Sequence, residues 1–210
     1  ETNFFGEIIG GKAVEIDYTD LTFNNDAVLA GENLTAQGTA AGHLVNPGTQ
    51  FEYWKDGYWL KAVSAGSESV LTANKDASIL SNGGYYNTAL HVWGKSQAEF
   101  NGKTSITVQN GVDTARAVYV YDDYDGTTRA EFNDDLTIST AGSNATYLYG
   151  IDVRAGGKVD VTKGLIMNDN NNITWSLFAM GNDSKIDINS SASGEVQVVG
   201  SVGGYDGGAV

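Results

Sequence analysis

A short pattern of alternating polar and apolar positions occurs four times between residues 97 and 189. In each copy a cationic or amide residue comes first, an acid follows two positions later, and an apolar residue comes after each of them. The copies lie at 97–101, 129–133, 158–162 and 185–189. Because successive side chains of a β-strand point to opposite faces, each copy has one apolar and one charged face. The sequence therefore predicts one strand, repeated four times.

A second strand precedes each copy. In three copies two apolar residues lie ten and eight positions before the last apolar residue of the copy. These pairs are Leu90 and Val92, Ile151 and Val153, and Phe178 and Met180. In the remaining copy twelve positions separate Val120 from Phe132, which indicates a four-residue insertion within 122–126. A third strand follows, and it is clearest at 106–108 and 136–138.

The three strands form a repeat of about 28 residues. The acids of successive copies are 32, 29 and 27 residues apart, and turns rich in Gly, Asn, Asp and Ser join the strands. Such a repeat is typical of one coil of a parallel β-solenoid, whose stacked coils bury a continuous core. We therefore predict an all-β fold, a right-handed parallel β-helix, with about 4.8 Å between rungs. In that fold Phe100 lies on Phe132. Asn101 likewise lies on Asn133.

The repeat divides the chain into two regions. Residues 58–210 follow it, whereas residues 1–57 follow it poorly. Within residues 1–57, the segment 14–17 fits the strand pattern and the segment 21–24 resembles a further rung. The terminal repeats of solenoids are atypical because they hide an open sheet edge and an open core. We therefore predict an N-terminal cap with irregular first rungs at 1–57 and regular coils at 58–210.

Residues 51–60 carry the strongest local signal of the N-terminal region. Asp56-Gly57 is a pair that favours a type I′ turn, and the residues on both sides of it are rich in aromatic side chains. The segment therefore predicts a β-hairpin. Its aromatic residues, which include Tyr53 and Trp54, either pack over the first coils as part of the cap or project as a binding element.

Composition and charge narrow the functional classes. The 210 residues are 41% apolar and include 27 glycines, one proline and no cysteine, which suits tight turns and uninterrupted strands and excludes disulfides. A formal charge of −14, with only 12 lysines and arginines, argues against nucleic acid as a partner. No apolar run approaches the roughly 18 residues of a membrane span, so we expect no membrane insertion by this segment. No signal peptide is visible at Glu1, and we expect the native protein to continue beyond this segment.

The acids of the repeated strand are the candidates for catalysis, because a cysteine nucleophile is excluded and neither histidine has a serine motif nearby. Two outward columns would result from stacking: Glu99, Glu131, Asp160 and Asp187, and beside them Gln97, Arg129, Lys158 and Lys185. Either the cations neutralise the acids in a surface ladder that fixes the register, or the acids form a cation or enzyme site. We expect the ladder, no catalytic residue, no metal and no other cofactor.

The insertion at 122–126 is the clearest departure from the repeat. It loosely resembles a calcium loop, but Tyr121 stands where the first acidic ligand belongs, so we expect no metal there. Outward columns would put His91 beside Tyr119. They would put Trp93 beside Tyr121, next to the insertion. Exposed aromatic residues at such a loop are typical of a sugar- or protein-binding surface, although they also stiffen a strand. The predicted ligand-binding residues are Trp93, Tyr119, Tyr121, Asp122, Asp123, Tyr124 and Asp125, together with Tyr53 and Trp54.

The coils resemble the β-helical passenger domains of type V (autotransporter) adhesins of Gram-negative bacteria. The resemblance covers about 58–210 and rests on Ala-Glu-Phe-Asn at 98–101 and 130–133, on Gly-Gly-Lys-Val-Asp-Val at 156–161, and on the Asn-, Thr- and Gly-rich composition without cysteine. It implies a rod on the outer surface of the cell, displayed by a C-terminal translocator domain. Its partners would be a host surface protein or glycan, or another copy of itself. The alternatives are a polysaccharide lyase or hydrolase of the pectin lyase-like fold and a purely structural stalk.

Overall fold

The strands of this chain stack in three parallel sheets. The computed structural model describes residues 2–4, 7–10, 14–24, 26–33, 59–122, 125–140, 143, 145–168, 173–189 and 191–210. Every regular element in these residues is a β-strand, and each sheet contains seven of them. In chain order the strands enter sheets A, B and C in turn, so each coil contributes one strand to each sheet. The predicted all-β parallel β-helix with coils of about 28 residues is confirmed.

The described strands are numbered β1 to β21 in chain order. Sheet A contains β1 (Thr2–Phe4), β4 (Asp20–Phe23), β7 (Val70–Ala73), β10 (Gln97–Phe100), β13 (Arg129–Phe132), β16 (Lys158–Val161) and β19 (Lys185–Ile188). Sheet B contains β2 (Glu7–Gly10), β5 (Ala27–Asn33), β8 (Ala77–Gly83), β11 (Thr104–Gln109), β14 (Leu136–Ser139), β17 (Leu165–Asn168) and β20 (Val196–Gln197). Sheet C contains β3 (Val14–Asp17), β6 (Trp59–Gly66), β9 (Tyr86–Trp93), β12 (Thr114–Tyr121), β15 (Tyr147–Arg154), β18 (Trp175–Met180) and β21 (Val202–Tyr205).

The four repeated segments are neighbouring strands of sheet A, paired residue for residue. Phe100 pairs with Phe132, and the two ring centroids are 5.1 Å apart with an interplanar angle of 11°. The side-chain amide of Asn133 donates to Asn101 Oδ1 at 2.8 Å. Both predicted stacks are therefore confirmed. The register follows from the alternation, because a slip by one residue would send every apolar side chain of the strand to solvent.

The core consists of inward columns that run across the rungs. One column of sheet A contains Phe23, Ala73, Phe100, Phe132 and Val161, all almost fully buried. Small and large side chains share this column, and the phenylalanine rings fill the space beside the smaller side chains. Burying each phenylalanine contributes about 1.5 to 3 kcal/mol, which is why the solenoid holds together without disulfides.

Polar side chains at the corners form ladders of their own. Asn101 donates from its amide to Asn74 Oδ1 at 3.2 Å, and Asn74 donates to Asn24 at 2.8 Å. At the corner before sheet A, the hydroxyl of Ser96 accepts the backbone N–H of Ser69 at 3.1 Å, and both serines are buried. The asparagine ladder lies at the exposed surface, whereas the serine bond satisfies polar groups that stacking buries.

In β18 the register differs from the sequence prediction by one residue. The inward positions of this strand belong to Leu177 and Ala179, whereas the sequence predicted Phe178 and Met180. The physical reason is the turn at 181–184, which has four residues where the equivalent turn of the preceding coil has three. As a result Phe178 and Met180 face outward from sheet C.

The N-terminal strands belong to the same three sheets. Leu21 pairs with Leu71, so the rung predicted at 21–24 lies in sheet A. The segment at 14–17 resembles the repeated strand of sheet A, but it pairs with β6 in sheet C. Residues 34–58, between β5 and β6, lie outside the described residues, and so does most of the predicted hairpin. The prediction of a cap within 1–57 stays a prediction.

Candidate binding surface

The outward side chains of sheet C bring three of the predicted aromatic residues together, namely Trp93, Tyr119 and Tyr121. The register of β9 and β12 pairs His91 with Tyr119. It also pairs Trp93 with Tyr121, so both predicted neighbours are confirmed. The same columns continue along β15 and β18. The outward residues that we call the aromatic face are His91, Trp93, Arg116, Tyr119, Tyr121, Tyr149, Asp152, Arg154, Trp175, Phe178 and Met180.

The rings of this face stack across and along the strands. The His91 ring lies 5.1 Å from the Tyr119 ring with an interplanar angle of 11°, and 6.4 Å from the Trp93 ring with an angle of 14°. The Tyr119 and Tyr121 rings are 6.4 Å apart and tilted. The indole of Trp93 lies over Gly66, where a Cβ atom would overlap it. Gly66 thus leaves the space that Trp93 fills.

His91 is neutral in this arrangement. The side chain is buried, and burial lowers its pKa well below 6.5, helped by the positive charges of Lys61 and Arg116. Among the described residues, its Nδ1 is the one buried side-chain nitrogen or oxygen without a hydrogen bond. A neutral imidazole stacks on Tyr119 without the cost of burying a charge.

A break in the alternation of β12 turns Arg116 onto the aromatic face. Ala117 and Val118 are consecutive buried residues, so the partly exposed Arg116 and Tyr119 stand three positions apart. The guanidinium carbon of Arg116 lies 4.5 Å from the Tyr119 ring centroid and 5.4 Å from that of Tyr149. Both distances are within the range of cation–π attraction.

Asp152 is a buried carboxylate shared by two arginines. Arg116 donates from Nε to Oδ2 at 2.7 Å, and Arg154 donates from Nε to Oδ1 at 2.9 Å, while the aspartate side chain has no exposed area. The guanidinium of Arg154 also lies 5.6 Å from the ring centroid of Phe178. Charge-assisted bonds from both sides offset the desolvation of the carboxylate and orient both guanidinium groups.

A pocket of about 380 Å³ opens beside Arg154. It is lined by Tyr119, Tyr121, Arg154, Ala155, Met180, Gly181, Asn182 and Asp206. The two tyrosines come from the rung on one side of Arg154, and the turns after β18 and β21 close the other side. Burial raises the pKa of Tyr119, so its phenol stays protonated at neutral pH. The pocket therefore offers aromatic, cationic, anionic and amide groups within one small volume.

The first residue of the insertion holds its loop closed. Asp122 is fully buried, and its carboxylate accepts hydrogen bonds from the Gly126 N–H at 2.5 Å and from the Thr128 hydroxyl at 2.7 Å. Lys158 donates from Nζ to the Gly126 carbonyl at 3.1 Å. Asp122 thus acts on its own loop, and its predicted role in ligand binding stays a prediction.

Asp125 lies at the outer side of the same loop. The backbone N–H and the hydroxyl of Thr127 donate to Asp125 Oδ1 at 3.0 and 2.6 Å, and these bonds lower the pKa of Asp125. Lys95 Nζ is 3.4 Å from Asp125 Oδ2. The other predicted residues, Asp123, Tyr124, Tyr53 and Trp54, lie outside the described residues and stay predictions.

The acids of sheet A stand in register beside their cations. The column contains Glu99, Glu131, Asp160 and Asp187. Arg129 Nε is 3.0 Å from Glu131 Oε1, and Lys185 Nζ is 2.8 Å from Asp187 Oδ2. Glu99 accepts a hydrogen bond from the amide of Asn133 at 3.1 Å. The register of the column and the ion pairs of Glu131 and Asp187 agree with the predicted surface ladder.

A longer groove of about 660 Å³ runs along the outer side of sheet B. Its charged residues are Asp26, Asp76, Lys103, Asp135 and Glu195. Asp76 accepts the backbone N–H of Lys103 at 2.9 Å, and Asp135 accepts that of Gly164 at 3.2 Å. Lys103 Nζ is 3.9 Å from Asp135 Oδ2. These aspartates hold turns between rungs.

The sequence did not predict several residues of the aromatic face and of its pocket. Asp152 and Arg154 follow Tyr119 and Tyr121 in their columns, so extending the predicted columns by one rung would have found them. Arg116 has no such signal, because two consecutive buried residues interrupt the alternation. Asn182 and Asp206 lie in turns, which the repeat does not predict.

Comparison of the chain with protein-family models, with curated proteins and with solved structures found no match. Within the part of the chain that the structure describes, no group of three or more His, Cys, Asp or Glu residues is arranged to hold a metal ion. No helix in these residues has the length and apolar character that crossing a membrane requires. Any assignment of function therefore rests on the chemistry of the surface.

Proposed function

We propose that this chain is a segment of a bacterial cell-surface adhesin and attaches to a host surface, or to another copy of itself, through the aromatic face. The observation that carries the proposal is the concentration of partly exposed aromatic rings and arginines from four successive rungs of sheet C. Tryptophan, tyrosine and arginine are the residues that most often dominate the energy of protein interfaces. The resemblance to autotransporter adhesins leads us to propose, in addition, that the chain is extracellular and is displayed at the outer membrane.

The aromatic face is suited to binding because its side chains are ordered before a partner arrives. Stacking holds the rings of His91 and Tyr119, and the Asp152 carboxylate holds both arginines. Side chains that are already ordered lose little conformational entropy on binding. The strands below them form a rigid support, because each is paired on both sides within sheet C.

The charged columns support binding rather than catalysis. A polysaccharide lyase or hydrolase needs acids and a base that are free to act on a substrate. Glu131 and Asp187 are instead paired with cations of their own strands, and Asp76 and Asp135 accept backbone N–H groups in the groove of sheet B. A purely structural stalk, in turn, has no need for a dense aromatic surface on one side.

The proposal is tested by attachment of beads that carry the folded chain. Beads coated with the wild-type chain or with Tyr121→Ala are applied to epithelial monolayers and to surfaces coated with the chain. Tyr121 is 39% exposed, so the substitution should leave the fold intact while removing a ring of the aromatic face. We expect about tenfold fewer retained beads on whichever surface the wild type binds, since an interface anchor contributes about 1.4 kcal/mol or more.

The matched control is Tyr147→Ala. Tyr147 is 49% exposed and is the first residue of β15, whereas Tyr121 is the last residue of β12 in the same sheet. Tyr147 is not part of the aromatic face. Beads that carry this variant should attach like the wild type. Full attachment of folded Tyr121→Ala beads would contradict the proposal and would direct attention to Tyr53 and Trp54.

A further inference from the structure

We propose that the pocket beside Arg154 takes a neutral, polyhydroxylated ligand, namely an uncharged sugar unit of a glycan. This inference rests on the proposed function, because it names the chemical class that the aromatic face recognises. The volume of about 380 Å³ is near the lower end of the range for small-molecule pockets. One or two sugar rings, rather than a folded protein segment, suit a pocket of that size.

The polar side chains of the pocket keep most of their hydrogen-bonding capacity free for a ligand. Within the described part of the chain, the side chains of Tyr121, Asn182 and Asp206 make no hydrogen bond, and Arg154 uses only Nε. The asparagines and charged residues of sheet A, in contrast, bond to their neighbours along the ladders. The pocket thus presents unused donors and acceptors together, and they are the groups that a ligand would engage.

The charges of the pocket favour an uncharged ligand. Arg154 contributes one positive charge and Asp206 one negative charge, so the lining is neutral in sum. An anion would gain from Arg154 but would meet Asp206 and a chain with a formal charge of −14. A cation would be repelled by the positive charge of Arg154. Hydroxyl groups both donate and accept hydrogen bonds, so a sugar satisfies the guanidinium, the amide and the carboxylate at once.

Tyr121 supplies the remaining element of sugar recognition. Tyr119 and Tyr121 line the same side of the pocket. The His91 ring and the Arg116 guanidinium cover the ring of Tyr119, so the exposed Tyr121 is the residue that offers a ring face. The face of an aromatic ring carries partial negative charge, so it attracts the C–H groups on the apolar face of a sugar ring. The polar edge of that sugar would then reach Arg154, Asn182 and Asp206.

The first experiment treats the target surface and leaves the protein unchanged. A surface that retains wild-type beads is oxidised with periodate, which cleaves vicinal diols of sugars, or is digested with protease, and is washed before beads are applied. We expect periodate to reduce the number of retained beads about tenfold. We expect part of the bead retention to survive protease digestion and to remain sensitive to periodate. Retention that depends on Tyr121 but survives periodate would overturn the sugar proposal and leave the aromatic face standing.

The second experiment measures binding in solution by calorimetry. The probes are cellotetraose, chitotetraose and lacto-N-tetraose as neutral glycans, with tetragalacturonate as the acidic counterpart. We expect at least one neutral probe to bind, with affinity reduced about tenfold or more by Tyr121→Ala and by Asp206→Ala and unchanged by Tyr147→Ala. Binding of tetragalacturonate alone, or of no probe, would overturn the sugar proposal. Attachment of Tyr121→Ala beads at the wild-type level would instead contradict the proposed function.

Discussion

Asp152 is a charged side chain that the outer surface of sheet C buries completely. An isolated buried carboxylate costs several kcal/mol, and here Arg116 and Arg154 offset that cost by donating from opposite sides. The consequence for recognition is orientation. One carboxylate fixes two guanidinium groups, so a ligand that binds them need not order two flexible side chains.

His91 makes the stability of the fold depend on pH. Its pKa in the folded protein is held well below 6.5 by burial, Lys61 and Arg116, whereas in the unfolded chain it returns to about that value. As the pH falls through 6.5, the unfolded chain therefore takes up a proton that the folded protein does not, and stability is lost. We expect the urea unfolding midpoint to fall between pH 7.5 and pH 5.5, in the window that begins at the unfolded pKa.

The variant His91→Phe isolates this effect. It keeps a ring that stacks on Tyr119 and removes the titrating group, and every other ionisable residue is common to the two proteins. The midpoint of the variant should fall less than that of the wild type over the same pH range. Equal slopes for the two proteins would mean that His91 does not titrate differently in the folded and unfolded states.

At the scale of the element, the insertion in the turn between β12 and β13 is an addition to an otherwise complete coil. Deleting 122–125 leaves Gly126-Thr127-Thr128 as a three-residue turn, which matches Gly-Lys-Ser at 94–96. Gly126 and Gly94 both have positive φ, 74° and 61°. We expect the deletion to change the free energy of unfolding by less than about 1 kcal/mol, measured by urea titration.

The comparison variant for that deletion is Asp122→Ala. It keeps the loop but removes the acceptor of the Gly126 N–H and of the Thr128 hydroxyl. Leaving such groups without a partner costs about 1 to 3 kcal/mol. In the deletion, Thr128 takes the place of Ser69, whose hydroxyl donates to the carbonyl of Gly66 three residues earlier, so the single substitution should destabilise more than the deletion. The opposite order would show that the loop is an integral part of the coil.

Sheet A and its register could be predicted because every copy repeats the same alternation with charged residues at fixed positions. The register of β18 could not, because Leu177, Phe178, Ala179 and Met180 are all apolar and either alternate pair could face inward. Only the extra residue of the following turn decides between them. The repeated pattern thus specifies where the strands lie, whereas the lengths of the turns determine which residues of a strand face inward.

The aromatic face was predictable in part for the same reason. His91, Trp93, Tyr119 and Tyr121 stand at repeated positions, and their neighbours follow from the column spacing. Arg116 reaches the face through a break in alternation, and Asp206 reaches the pocket through a turn at a distant point of the chain. Neither position follows a period that a sequence pattern could reveal.

At the scale of the whole molecule, the candidate surface exists only because distant parts of the chain stack in register. Trp93 and Asp206 are 113 residues apart in sequence, yet they belong to the same side of sheet C. The central claim is therefore the stacking itself. A chain without cysteine suits its test, because spin labels can be attached at two introduced cysteines alone.

The most direct measurement is the distance between spin labels along the outward column of sheet A, by double electron–electron resonance. The column runs from Thr22 through Glu99 to Asp160 and Asp187, with one residue per rung. At about 4.8 Å per rung, Thr22→Cys with Asp160→Cys should give a backbone separation of about 19 Å, and Thr22→Cys with Asp187→Cys about 24 Å. The account predicts two narrow distributions whose means differ by about one rung. Equal means, or broad distributions centred far beyond these values, would contradict the stacking and with it the binding surface built on it.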